Sequence, residues 1–168
     1  MQKLYLDCDG VILDTISKSY KLLEEKNITD EAEKAKFYIG INWDDFIIYS
    51  GELDYSISKI KKITSIFDVK ILTHVHSENE GEAKIRYFAK ELPGVEVITV
   101  PKTIEKCDMV DPKGAILVDD FYPNLWKWEQ KGGIPVKFSN SNKEYNCYTI
   151  SDLLELLKID FNNNKQGN

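Results

Sequence analysis

Leu4-Tyr5-Leu6-Asp7-Cys8-Asp9-Gly10-Val11-Ile12-Leu13-Asp14 is a short apolar run that breaks into acid, spacer, acid, glycine. Asp is depleted inside strands, so an apolar run that ends in acids reads as a strand whose carboxyl end meets solvent. Two residues at i and i+2 project to one side of an extended chain, so Asp7 and Asp9 share a direction while Cys8 faces away as a small core residue. Gly10 lets the chain turn tightly directly after the acids.

Working outward, the runs Lys3–Leu6, Val69–Leu72, Val95–Val100, Ala115–Val118 and Ile134–Phe138 are rich in Val, Ile and Leu with little polar alternation. That pattern predicts strands covered on both faces. Helical patterns lie between the later ones. Ser77-Glu78-Asn79-Glu80 has the form of a capping box, succeeded by Ile85, Phe88, Ala89 and Leu92 at helical spacing, and Pro93-Gly94 ends the helix. A second helix is predicted from Pro123 to Lys131, closed by Gly132-Gly133, and a third from Ser151 with Leu153, Leu154, Leu156 and Leu157. Strands alternating with single helices give an α/β fold with a mostly parallel sheet. The interval Ser17–Ser65 breaks the alternation with helical periodicity and no strand, and it reads as a small helical cap inserted after the first strand. The expected division is 1–16 and 66–160 for the core, 17–65 for the cap and 161–168 for a frayed polar tail.

Each apolar run gives way to polar residues of a particular kind. Asp7 and Asp9 come after the first, Thr73 after the second, Lys102 after the third and Asp119-Asp120 after the fourth. In a doubly wound sheet the carboxyl ends of the strands share one edge, and ligands bind there. Crowded carboxylates repel unless a cation sits among them, and Mg²⁺ suits carboxylate, carbonyl and phosphate oxygens.

These stretches resemble the four motifs of the haloacid-dehalogenase-like (HAD) phosphohydrolases. Leu4 to Asp14 is similar to the first, Lys70-Ile71-Leu72-Thr73 to the second, Lys102 to the third and Leu117-Val118-Asp119-Asp120 to the fourth. Val118-Asp119-Asp120-Phe121-Tyr122-Pro123-Asn124-Leu125, with Trp128-Glu129 and Gly132-Gly133-Ile134, is similar to the small C-type 5′-nucleotidases, the 5′(3′)-deoxyribonucleotidases. The resemblance implies a HAD-like, three-layer α/β/α Rossmann-type core. It implies Asp7 as nucleophile, forming an aspartyl-phosphate, and Asp9 as general acid and base. Mg²⁺ would be held by Asp7, the backbone carbonyl of Asp9 and Asp120, with Asp119 supporting it. Thr73 and Lys102 would hold the phosphoryl group, Lys84 would support them, and Trp43 in the cap would meet a base. Trp126 and Trp128 are read as packing residues, and His74 and His76 as loop histidines, there being no third ligand to make them a metal site.

The whole chain has 168 residues, 42% of them hydrophobic and 30% charged, an ordinary globular mixture. A net charge of −6 argues against a nucleic-acid polymer or an anionic membrane surface as partner. No apolar run approaches the about 20 residues that span a bilayer, and acids interrupt the N-terminal segment where a signal peptide would stay apolar. Cys8, Cys107 and Cys147 form no CxxC pair, which argues against a disulfide framework or a thiolate zinc site. The expectation is a cytoplasmic Mg²⁺-dependent phosphatase acting on a small phosphorylated metabolite, foremost a (deoxy)nucleoside monophosphate. A sugar phosphate or other small phosphomonoester is the alternative. A receiver-type domain would place its phosphorylated Asp in mid-chain, and a bare phosphate-binding module would have no use for an acid/base at Asp9.

Overall fold

The computed structural model describes residues 1–161. Six parallel strands form one sheet: β1 (Gln2–Leu6), β2 (Phe67–Val75), β3 (Glu96–Pro101), β4 (Ile116–Asp119), β5 (Ile134–Phe138) and β6 (Tyr148–Ile150). Their order is β3-β2-β1-β4-β5-β6, so the chain reverses its direction of travel between β1 and β4. That reversal opens a crevice at the carboxyl ends of β1 and β4.

Alternation along the strands sorts the core into two layers. Leu4, Leu6, Val69, Ile71, Ile116 and Val118 face one side, while Tyr5, Leu72, Ala115 and Leu117 face the other. The first side is covered by α3 (Trp43–Ser50), α4 (Ser56–Ile63), α5 (Glu78–Glu91) and a 3₁₀ turn at Leu153–Lys158. The second is covered by α6 (Lys106–Met109) and α7 (Tyr122–Gln130). Both faces are buried, which is why these strands read as unbroken apolar runs. The predicted α/β layered architecture is thus the one the chain adopts.

Several elements differ from expectation. β2 extends through Thr73 and His74 to Val75, so His74 is a strand residue whose Nε2 lies 2.9 Å from the carbonyl of Ile104. β6 has no counterpart among the predicted strands, because Tyr148-Thr149-Ile150 is too short to make a periodic signal. The Leu153 segment winds as 3₁₀, with Asp152 and Glu155 forming its capping box. Trp128 is buried and donates its indole N–H to the carbonyl of Ala115 at 2.9 Å, but Trp126 is 53% exposed and does not pack in the core. Its position two residues from Trp128 puts it on the outer side of α7, since residues two apart on a helix do not share a face.

The segment 17–65 lies in α1 (Thr15–Glu25), α2 (Glu31–Gly40), α3 and α4. Ile57, Ile60 and Ile63 of α4 and Phe46 and Ile47 of α3 belong to the same hydrophobic cluster as the sheet. α2, by contrast, has no buried residue. At the other end Phe161 is buried, with its ring 6.2 Å from Phe67 and 5.3 Å from Tyr148, so the frayed tail does not include it. The remainder of that expectation, 162–168, lies outside the described residues. No described helix is long and apolar enough to cross a membrane.

Candidate active site at the carboxyl edge of the sheet

The turn after β1 is wound around one atom. The carbonyl of Cys8 accepts from the backbone N–H of Val11, Ile12 and Leu13 at 3.3, 2.8 and 3.0 Å, while the Asp7 N–H donates to the carbonyl of Val118 at 2.9 Å. This holds the two acids rigidly beside the end of β4. Cys8 is fully buried, as its spacing predicts.

Each acid of the pair has its own buried lysine. Lys106 donates to Asp7 Oδ1 at 2.7 Å and to Asp119 Oδ2 at 2.7 Å. Lys84, with no exposed surface, donates to Asp9 Oδ2 at 2.6 Å, Glu80 Oε1 at 2.7 Å, Thr73 Oγ1 at 3.0 Å and the carbonyl of His74 at 3.3 Å. Thr15 adds a hydrogen bond to Asp9 Oδ1 at 2.6 Å. A buried charge is tolerated only when paired, and both lysines are.

The two environments separate the acids. Burial drives the Asp7 carboxyl well above its ordinary range, and the charges of Asp119, Asp9 and Asp120 add to this against the pull of Lys106. Burial also opposes ionisation of Asp9, but the Lys84 charge and the hydrogen bonds from Lys84 and Thr15 more than offset it and bring Asp9 below the ordinary value. Lys84 and Lys106 are held protonated: burial alone would lower both, and their carboxylate neighbours win.

Asp119 is fully buried and its oxygens are occupied by the Phe121 N–H at 2.8 Å, Asn124 Nδ2 at 2.9 Å and Lys106. The carboxylate of Asp120 accepts no hydrogen bond among the described residues, although Lys137 Nζ donates to its backbone carbonyl. Oxygens of Asp7, Asp119 and Asp120 lie within 4.8 Å of one another. Burial and the neighbouring Asp119 charge push the Asp120 carboxyl up to about 6. These residues could hold a cation: they form an acid set of the hard type Mg²⁺ prefers, in mutual repulsion and with one carboxylate unengaged.

Gly10 makes that gathering possible. Its φ is +79°, and a Cβ built there would stand 2.3 Å from Asp120 Oδ2 and 2.9 Å from its Cγ. Gly10→Ala is therefore expected to cost about 1–2 kcal/mol in backbone strain alone and to displace Asp120. Titration calorimetry should show weakened Mg²⁺ binding; an unchanged affinity would place Asp120 outside the metal set.

The expected site residues fall into two adjoining groups and two outliers. Asp7, Asp119 and Asp120 come together, and Asp9, Thr73 and Lys84 form the group beside them. Lys102 is exposed, is bonded to no carboxylate among the described residues, and lines a cavity of about 210 Å³ beside Asp9. The lysine that touches Asp7 is Lys106, four residues on, which the motif resemblance does not single out. Its signal lies in Glu105-Lys106-Cys107-Asp108 after the third strand, but one helical turn is too short to show periodicity. Trp43 also lines the cavity but is only 4% exposed. Its indole N–H donates to the carbonyl of Tyr38 at 2.9 Å, and its ring lies 5.7 Å from Lys84 Nζ. An aromatic so enclosed offers no open face to a base.

The fold is similar to that of solved structures described as HAD-superfamily hydrolases. No family model matches the chain, and no curated protein does. Solved structures match it over nearly its full length. They include a HAD-hydrolase from Bacillus subtilis, YfnB, bound to magnesium (13% identity, 94% of this chain and 97% of that one, TM-score 0.65). A HAD phosphatase from Thermococcus onnurineus aligns at 17% identity over 94% of this chain and 97% of its own, with a TM-score of 0.61. D,D-heptose 1,7-bisphosphate phosphatase from Burkholderia thailandensis aligns at 15% identity over 95% and 100%, with a TM-score of 0.55. At these identities the likeness is one of fold; function rests on the site.

Proposed function

We propose that the protein is a phosphomonoester hydrolase of the HAD type that works through an aspartyl-phosphate. The observation that carries this is the Asp7–Asp9 pair, two acids on one turn beside Asp119 and Asp120, each with its own buried lysine. A cation among Asp7, Asp119 and Asp120 would favour the ionised Asp7 that attack requires, against the upward shift that burial and its acidic neighbours cause without one.

Asp7 is the nucleophile. Its Oδ attacks phosphorus, the phosphorus–oxygen bond to the leaving group breaks, and Lys106 offsets the charge gathered around the transferring group. Asp7, Asp120 and the backbone carbonyl of Asp9, with Asp119 and its partners behind them, would hold Mg²⁺, which would supply neutralisation of phosphate charge. Asp9 protonates the leaving oxygen and then takes the proton of the water that cleaves the aspartyl-phosphate. The arriving phosphate supplies the reason it can do the first step: negative charge beside Asp9 opposes Lys84 and raises its proton affinity. On this reading Thr73 and Lys102 hold phosphoryl oxygens, and Lys84 keeps Asp9 and Thr73 in position. Within the segment 17–65, α1 and α2 act as the cap at this edge, while α3 and α4 pack on the sheet face.

Within this chemistry a nucleoside monophosphate and a sugar phosphate are both served. Trp43 contributes enclosure here, not stacking. The deciding assay is phosphate release from a panel of 5′- and 3′-nucleoside monophosphates and sugar phosphates, with Mg²⁺ or EDTA. Magnesium-dependent release from any of them is expected; no release from the whole panel would remove the hydrolase reading.

A pH effect arises from Asp120. Without a cation its raised pKa means the folded state holds its proton more tightly than the unfolded chain does. Stability without metal is therefore expected to fall as pH rises from about 4 through about 6. Mg²⁺ competes with that proton, so its stabilising effect should be present above about pH 6 and fade below it. Thermal melts with Mg²⁺ and with EDTA across pH 5 to 8 would read this; a magnesium increment independent of pH would refute it.

A further inference from the structure

A carboxylate–imidazole pair adjoins the acids and takes no part in the hydrolytic steps. Glu80, 1% exposed, accepts from the backbone N–H of His76 at 2.7 Å and lies 2.8 Å from His76 Nδ1, while its other oxygen takes Lys84. The Lys84 charge and the His76 hydrogen bonds outweigh burial and keep Glu80 ionised. An ionised carboxylate only accepts, so Nδ1 carries the hydrogen and Nε2 is left to meet a ligand. Nε2 has no partner among the described residues, and it is not sealed from solvent.

The ring is also clamped by stacking. Tyr38 lies on it with centroids 4.4 Å apart and planes within 9°, and Trp43 lies 6.3 Å away at 15°. Tyr38 is tied in turn by its hydroxyl to Ser19 at 3.1 Å. Residues from α1, α2, α3 and the β2–α5 turn thus converge on one imidazole at the wall of the cavity that holds Asp9, with Tyr20 at 63% exposure and Lys102 also lining it. At about 210 Å³ the cavity is smaller than the roughly 300–1,000 Å³ of sites for drug-sized ligands.

We infer that His76, oriented by Glu80 and stacked under Tyr38, is the contact for the leaving group, and that this group is compact and hydroxylated, of sugar or polyol size. This rests on the phosphomonoesterase reading and specifies its substrate class. The phosphoryl group sits over Asp7, the ester oxygen faces Asp9, and a hydroxyl of the leaving group hydrogen-bonds to His76 Nε2. Glu80 is a positioning residue, acting through His76 on one side and Lys84 on the other.

The test is steady-state kinetics with a hexose 6-phosphate, a nucleoside 5′-monophosphate and p-nitrophenyl phosphate, whose leaving group has no hydroxyl donor once esterified. Wild type is compared with His76→Phe, which keeps the stack and removes both nitrogens, with His76→Gln, which restores a hydrogen-bonding end, and with Tyr20→Ala. His76→Phe is expected to raise KM for the hexose phosphate about tenfold, the loss of one hydrogen bond. Its kcat should stay within about twofold and its KM for p-nitrophenyl phosphate should rise far less, with His76→Gln recovering part of the loss. Equal changes on all three substrates would mean a merely structural imidazole and overturn the inference. So would a preference for the nucleotide that depends on Tyr20 and not on His76. In both cases hydrolysis itself persists; wild-type protein that releases phosphate from none of the three would fail the hydrolase reading as well.

Discussion

Asp7→Asn is expected to lower phosphate release by about 10⁴-fold or more, since removal of a nucleophile leaves only binding and electrostatics to act. The shape of the site makes this an unusually clean variant. Asp7 is buried among Asp9, Asp119 and Asp120, and burial with those charges already opposes its ionisation. A neutral amide of the same size removes one charge from the crowd while leaving Lys106 its second partner, Asp119. The melting temperature in EDTA should therefore hold or rise while activity is lost. Activity lost together with the fold would say only that Asp7 is structural. Retention of more than about a hundredth of wild-type activity would remove it as the nucleophile.

Lys84→Met is expected to be the most damaging substitution for stability, at about 3–5 kcal/mol, because it leaves charge buried without its partner. Two carboxylates, Asp9 and Glu80, would then face one another across the space the ammonium fills, and Thr73 Oγ1 and the His74 carbonyl would lose a donor. A denaturant melt reads the loss directly. The double variant Lys84→Met with Glu80→Gln should recover part of it, since the second change removes one of the two orphaned charges. That non-additivity is the evidence that one network holds all three residues. The sign of the pH effect is also fixed. Asp9 is kept ionised by Lys84 against burial, so without Lys84 its proton affinity rises and the acid limb of any residual activity moves to higher pH.

The two variants separate what can be read along the chain from what cannot. Asp7 and Asp9 lie two residues apart on one turn, so the pattern that marks them is local. Thr73, Asp119 and Asp120 are legible for the same reason, each standing at or just past the end of an apolar run. The lysines are not equally so. Lys84 is one of several charged residues on α5, and nothing in its sequence neighbours says that it points into the core toward Asp9. Lys102 and Lys106 lie in the same connection, and the choice between them depends on how β3 leaves the sheet and on the single turn of α6. Trp43 is the converse case: an aromatic in the right segment reads as a stacking surface, and the extent of its packing against Phe46, His76 and Lys84 is not written in the sequence.

The strand-and-helix alternation, the five longer strands and the edge at which the acids collect are all written along the chain. Hydrophobic runs bounded by turn residues record burial on both faces of a parallel sheet, and that record is one-dimensional. Only the tertiary structure decided which lysine meets which carboxylate, that β6 completes the sheet, and that Glu80 clamps His76 beneath Tyr38. Lys106 meets Asp119 and Asp7 across 13 and 99 positions and Lys84 meets Asp9 across 75, while the contacts of Glu80 to His76 and Lys84 span four positions and depend on one rotamer among many; their energies arise from burial, which exists only once the layers have closed.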